Sequence, residues 1–228
     1  MNTLTQNIQA INQSVQAAQE QANNQEAVKV VAVTKTVEAD TMRQLFDLGI
    51  HRFGENRDQV LLAKQEALAD INDQIEWHFI GRLQSRKVKS IINQIDYLHS
   101  LDRLSLAKEI QKRADQPVKC FLQVNVSGEA SKAGFAPEEV VSAIEALAPY
   151  DKVQIVGLMT MAPYEASESD LHRYFADLKQ LQETVSQLKL PYAPCQDLSM
   201  GMSRDYPIAI VEGATYVRIG TAFFQGLE

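Results

Sequence analysis

A strand-like run followed by a helix-like run, repeated about eight times, is the feature of this sequence that most narrows what it can fold into. The strand-like runs are VKVVAVT (28–34), HRFGEN (51–56), IEWHFIG (75–81), DYLHS (96–100), VKCFLQVNV (118–126), VQIVGLM (153–159), CQDLSM (195–200) and TYVRIG (215–220). Helical patterns fill the intervals. One is read near 38–48, one over 85–94, one as DRLSLAKEIQKRA with Asp102 as its cap, and one as PEEVVSAIEAL with Pro137 in the first turn. The longest carries the stripe Leu171, Tyr174, Phe175, Leu178, Leu181, Val185 and Leu188. Alternation of this kind pairs strands in parallel, and eight units close on themselves. The expected fold is α/β, a single (β/α)8 TIM barrel. An open doubly wound sheet is the competing arrangement, but no G-x-G-x-x-G turn follows the first strand.

An extra helix precedes the first strand. Leu4, Ile8, Ile11, Val15, Ala18 and Ala22 recur at steps of three and four over about residues 3 to 24. The last barrel unit has almost no helix of its own, so this N-terminal helix is expected to fill the gap in the outer ring. Its weak alanine positions favour docking on the chain's own core over a self-pairing coil, and the chain is read as a monomer. No break in composition divides the sequence, which is read as one domain, 1–228, with residues 1–25 packing on the barrel.

The formal net charge of -7 gives no global attraction to nucleic acid or to anionic membrane. No apolar run approaches the roughly 20 residues that cross a bilayer, and MNTLTQNIQA lacks the basic start and apolar block of a secretory signal. Cys120 and Cys195 are too far apart for a metal-ligand spacing and are read as reduced thiols of a cytoplasmic protein. His51, His99 and His172 are read as packed, rim or solvated residues, and no metal constellation stands out.

In a parallel barrel the residues after each strand line the functional face. Here they include Thr34-Lys35-Thr36, Gly54-Glu55-Asn56-Arg57, His78, His99-Ser100, Asn125, Thr160, Ser199-Met200-Gly201-Met202-Ser203 and Arg218-Ile219-Gly220-Thr221. SMGMS and RIGT follow strands seven and eight, the usual place of a phosphate site in this architecture. Glycine lets backbone approach an anion, and hydroxyls and free N–H groups donate to it. Lys35, behind a wall of valines, is expected to be partly desolvated. That disfavours its ammonium and leaves an amine able to attack an aldehyde. A snorkelling or ion-paired lysine is the plainer reading of the same position. Phosphate cup and amine together suggest a phosphorylated aldehyde: a sugar phosphate in an aldolase, or pyridoxal 5′-phosphate held as a Schiff base. Arg218 tilts the choice, because an arginine beside the phosphate turn can donate to a pyridine nitrogen and oppose its protonation.

The motifs AVTKT, FGEN, WHFIGRLQSRK, VNVSGEASKAGF, GLMTM, LSMGMSRDYPIAI and VRIGTAFF, in this order from about Val28 to Phe224, resemble those of the pyridoxal phosphate homeostasis proteins, whose barrel is like the first domain of alanine racemase. The resemblance implies that Lys35 forms the covalent link to pyridoxal phosphate. It implies that Ser199, Met200, Gly201, Ser203, Gly220 and Thr221 surround the phosphate, that Arg218 meets the ring nitrogen and that Asn56 lies near the cofactor. His78 and Asn125 receive no definite role, and Lys132 is the second lysine to consider. Arg82 and Arg86 depart from the family's loop, as does Arg57 after FGEN. The implied role is intracellular vitamin B6 balance: a carrier or buffer of the cofactor, serving pyridoxal-phosphate-dependent apoenzymes, without robust catalysis and with no catalytic residue assigned. A slow amino-acid racemase is the alternative. Racemisation needs a base on each face of the cofactor, and only Tyr164 and Tyr206 offer substitutes for the second-domain tyrosine of alanine racemase.

Overall fold

Val31 and Ala32 are neighbours in sequence and are buried in different places. Val31 joins a small cluster with Tyr97, Phe121, Met159 and Tyr216, whereas Ala32 belongs to the large apolar core. This is the two-residue period of a strand covered on both faces, and it separates the inside of a barrel from the layer under its helices. The computed structural model describes residues 3–23, 26–129 and 133–227. Their elements run α1 (Thr3–Gln21), β1 (Lys29–Val33), α2 (Ala39–Asp47), β2 (Arg52–Glu55), α3 (Asp58–Ala67), β3 (Glu76–Phe79), α4 (Val88–Ile91), β4 (Tyr97–Leu101) and α5 (Leu104–Arg113). They continue β5 (Val118–Gln123), α6 (Val140–Ala146), β6 (Val153–Met159), α7 (Glu168–Gln187), β7 (Asp197–Met202), α8 (Tyr206–Val211), β8 (Tyr216–Ile219) and α9 (Thr221–Phe224). The eight strands pair in parallel in chain order. The sheet closes where β8 meets β1, with Lys29 opposite Tyr216 and Ala32 opposite Ile219.

α1 fills the gap in the outer ring. Leu4, Ile8, Ile11, Val15 and Ala18 are buried, and the helix packs on α8 and α9. Asn7 fixes the join, donating through Nδ2 to the carbonyls of Phe223 (2.8 Å) and Gln225 (2.9 Å).

Three local expectations are corrected. The helix expected over 85–94 is broken into a 3-10 turn Ser85–Lys87, the single turn α4 and a second 3-10 turn Ile92–Gln94. The segment is short and rich in β-branched residues, and Val88, Ile91 and Ile92 are satisfied by burial without a long helix. Asp102 does not cap α5; Arg103 takes that position, and Asp102 accepts instead from Arg82 and Arg103. The fifth strand stops at Gln123 because the chain folds back: Asn125 N–H donates to the Phe135 carbonyl and Phe135 N–H to that of Gln123.

The end of β1 is tied down from outside. Thr34 donates to Glu55 Oε1 (2.5 Å), and Lys64 Nζ of α3 donates to the same oxygen (2.7 Å) and to the Thr34 carbonyl (2.7 Å). The side chains of Glu55 and Lys64 are 0% and 7% exposed, and Glu55 Oε2 has no hydrogen-bond partner among the described residues. Removing one member of such a pair strands the other charge in the core. Lys64→Met is therefore expected to lower unfolding free energy by about 3–5 kcal/mol. The double variant Lys64→Met/Glu55→Leu should recover most of that loss, as read by urea denaturation.

Candidate functional site

Inward-pointing side chains stack in layers along the barrel axis, as alternate strands require. Near the amino ends of the strands, Arg52 Nε donates to Glu76 Oε1 (3.0 Å), Lys29 Nζ donates to the Tyr216 hydroxyl (2.9 Å), and Lys119 Nζ lies 5.0 Å from the centre of the Tyr97 ring. The middle is aromatic and polar at once. His78 stacks on Tyr97 with ring centres 4.8 Å apart, and His99 stacks on Phe121 at 4.5 Å. Above them Arg218, on β8, is 4% exposed. It donates to Ser199 Oγ of β7 and, at 3.0 Å, to the Thr160 carbonyl after β6.

Arg218 makes no ion pair among the described residues. Burial pushes its pKa down to about 10, opposed by the charge of Asp205, so the guanidinium stays protonated at neutral pH. A buried cation without a carboxylate partner needs other compensation. The salt bridge that would make Arg218 purely structural is not formed.

The turns after β7 and β8 meet on the same rim. Ser203 Oγ accepts from the backbone N–H of Gly220 (3.1 Å) and of Ala222 (3.5 Å). Two N–H groups converging on one oxygen is the geometry in which an oxyanion is held. Gly201 makes the approach possible. Its φ is +92°, and a Cβ there would lie 2.6 Å from that of Ala209 in α8. Gly220 sits against the Val33 carbonyl, so β1 ends beside this cradle. Thr221 is exposed at the start of α9, and Asn56 is half-buried after β2, its backbone closely opposed by Gly81. Met200 is placed differently: its side chain is fully buried in the outer core, leaving only backbone for the rim.

Lys35 follows β1 on the same rim, but the desolvation expected of it is absent, because its side chain is exposed in the turn beyond the last barrel layer. The buried lysine at this strand end is Lys64, which sequence position alone did not distinguish. Lys132 lies outside the described residues. Asn125 donates to the Glu129 carbonyl (2.9 Å) within its own loop. His51 packs edge-on against Phe46, and His172 pairs with Glu212 (2.6 Å). Burial pushes the Cys195 thiol up to about 12 and Cys120 higher still, and both are free. Among the described residues no cluster is suited to a metal ion, and no helix is long and apolar enough to cross a membrane.

Residues 6–227 match the family described as alanine racemase, N-terminal domain. The pyridoxal phosphate homeostasis protein of Aquifex aeolicus is 42% identical over 217 residues, covering 92% of each chain, and that of Pseudomonas aeruginosa is 40% identical over 98% of this chain and 96% of its own. The chain belongs to the pyridoxal phosphate homeostasis protein family. Among solved structures, PipY of Synechococcus elongatus with PLP bound superposes with a TM-score of 0.85 at 31% identity, covering 97% of this chain and 99% of that one. Alanine racemase of Corynebacterium glutamicum shares the fold, with a TM-score of 0.68 at 17% identity, and this chain spans 62% of its length.

Lys35, Asn56, Ser203 and the Gly220 turn thus follow strand ends on one rim, and the two buried histidines lie beneath it. Burial lowers the pKa of both imidazoles. His78 and Arg218 lower His99 further, whereas the bond to Glu76 acts in the opposite direction on His78. Below the ordinary histidine value of about 6.5 the unfolded chain binds protons that the folded one does not, so stability rises with pH in that window and is lost as pH falls. The urea midpoint is expected to fall between about pH 7 and 5, and to fall less in His99→Gln. Gly201→Ala forces both a left-handed backbone and a steric clash, and is expected to lower the thermal midpoint by several degrees in a differential scan.

Proposed function

We propose that this chain binds pyridoxal 5′-phosphate at the carboxyl-end mouth of its barrel, holds it covalently through Lys35, and acts in intracellular vitamin B6 homeostasis as a carrier or buffer without robust catalysis. The observation that carries the reading is Arg218, a buried cation with no carboxylate partner among the described residues, on the rim where the Gly220 and Ala222 N–H groups converge. When bound, the cofactor supplies a reactive aldehyde and an electron-accepting ring. The chain's own residues do the rest. Ser203, Gly220 and Thr221, with Gly201 and the backbone of Met200, take the phosphate by hydrogen bonds. Ser199 holds Arg218, which donates to the ring nitrogen. Asn56 borders the ring, and Lys35 contributes the amine.

Arginine keeps its own proton, so the ring nitrogen beside it stays unprotonated and the ring draws electrons weakly. That favours holding over carbanion chemistry. An exposed Lys35 suits exchange with free amines or with recipient apoenzymes, because water and partners reach its side chain. The chain is read as one barrel domain with α1 (Thr3–Gln21) as its outer helix.

A slow racemase is the second reading, and it needs a base opposite Lys35. Tyr206 is buried in the outer core. Tyr164 is the freer candidate: it is 76% exposed and lies under the Arg204 guanidinium at 4.5 Å. Loaded protein is expected to be yellow, and borohydride should fix the cofactor on Lys35, as mapped by mass spectrometry. Lys35→Ala should lose that absorption and labelling yet keep part of its affinity for the phosphate. Unchanged labelling in the variant would move the anchor to another lysine. Incubation with single L-amino acids in deuterated water should give neither D-isomer nor α-proton exchange at an enzymatic rate; turnover would establish the racemase.

A further inference from the structure

Beneath the rim, the Arg218–Ser199 bond continues into a string of hydrogen bonds that runs down the barrel through two histidines given no role so far. Arg218 donates to Ser199 Oγ. Ser199 Oγ lies 2.7 Å from His99 Nδ1, and His99 Nε2 lies 2.8 Å from His78 Nδ1. His78 Nε2 is 2.9 Å from Glu76 Oε1, which also receives the Arg52 Nε–H at 3.0 Å. Ser199, His78 and His99 are all 0% exposed, and the string spans β8, β7, β4 and β3.

With one proton on each imidazole, the direction of this string is fixed by the Glu76 carboxylate at its base, which only accepts. A guanidinium has no acceptor, so Ser199 must accept from Arg218 and has one proton left to give. That proton goes to His99 Nδ1. His99 is then the tautomer with its proton on Nε2, and it donates to His78 Nδ1. His78 in turn carries its proton on Nε2 and donates to the Glu76 carboxylate. Every link has one donor and one acceptor, both imidazoles are neutral, and no proton is left over. The charged and titratable groups around the pair are Arg218 above with Asp205 behind it, Tyr97 and Tyr216 beside the rings, and Glu76, Asp96 and Arg52 at the base. Glu76 keeps its charge. Burial acts to raise its pKa but is outweighed by its bond to His78 and by the nearby Arg52.

We propose that Ser199, His99, His78 and Glu76 form a polarised hydrogen-bond string that positions the Arg218 guanidinium and points every movable proton away from it, so that Arg218 is the sole donor at the ring nitrogen. His99 and His78 are positioning residues acting through Arg218. This role rests on the cofactor reading above; the string itself does not. Breaking it at His99 strands the Ser199 hydroxyl and His78 Nδ1 in the interior, frees the guanidinium to turn, and lets water and a proton reach the ring nitrogen.

Cofactor-free protein labelled with 15N-histidine tests the string directly, since the nitrogen shifts of imidazole separate its tautomers and its charged form. His78 and His99, assigned with the variants His78→Gln and His99→Gln, are expected to be neutral Nε2–H tautomers at neutral pH. Either one charged, or protonated on Nδ1, overturns the string. Protein loaded with ring-15N pyridoxal phosphate then tests its role. The ring nitrogen should stay unprotonated from about pH 6 to 8 in the wild type and in His99→Gln, whose amide also offers one acceptor and one donor. In His99→Leu its proton affinity should rise about tenfold or more, a shift of one pH unit. Should His99→Leu not fold, His78→Leu breaks the same string one link further from the rim and carries the same expectation. A ring nitrogen indifferent to the break overturns the string's role while leaving cofactor binding intact. A chain with the expected tautomers that takes up no cofactor overturns the function proposed above, and with it that role.

Discussion

Closure of the sheet at β1 and β8 is the constraint on which this molecule depends. A parallel barrel has no free edge only when its first and last strands pair, and here that seam joins Lys29 to Tyr216 and Ala32 to Ile219. Closure also builds the rim. It sets Lys35, the Gly220 turn and Ser203 at neighbouring strand ends, although they lie far apart in sequence. The outer layer supports the same seam: α1 covers α8 and α9, and Lys64 with Glu55 holds the chain as it leaves β1.

Inside the barrel the governing problem is the solvation of one cation. Arg218 is buried and meets hydroxyl, carbonyl and, through Ser199, two buried imidazoles that lead to a carboxylate at the opposite end of the strands. This arrangement spreads compensation over several dipoles where a direct ion pair would have tied the guanidinium to an acid. An arginine held by dipoles stays available to a ligand above it.

The eight alternations and the N-terminal helix were legible because hydrophobic period depends only on local sequence. The rim was legible because strand order in a parallel barrel sends every strand's carboxyl end to one face. What could not be read was which side chain faces which layer. Lys35 and Lys64 are both lysines near strand or helix ends, yet one is exposed and the other is buried on Glu55, a difference made by the packing of α3 on β2. His78, His99 and Ser199 sit on three strands, and only the closed barrel brings them within hydrogen-bond distance. Their inward positions at alternate residues, beside Glu76 and Tyr97, were the one signal available. The broken segment over 85–94 shows the limit of periodicity: the spacing of Val88, Ile91 and Ile92 suits a helix and suits a pair of tight turns equally well.

The seam between β1 and β8 has a further consequence. Its two strands are separated by most of the chain, as are Asn7 and the carbonyls it grips 216 and 218 positions away. Zipping them together is among the slowest events such a topology demands, since loop entropy must be surrendered before any pairing is gained. A small molecule clasped by Lys35 on one side and by Gly220 and Arg218 on the other would rivet that join. Loaded and empty forms would then differ most in how readily this one side of the barrel breathes, and the wall that holds the cargo would be the wall that the cargo keeps shut.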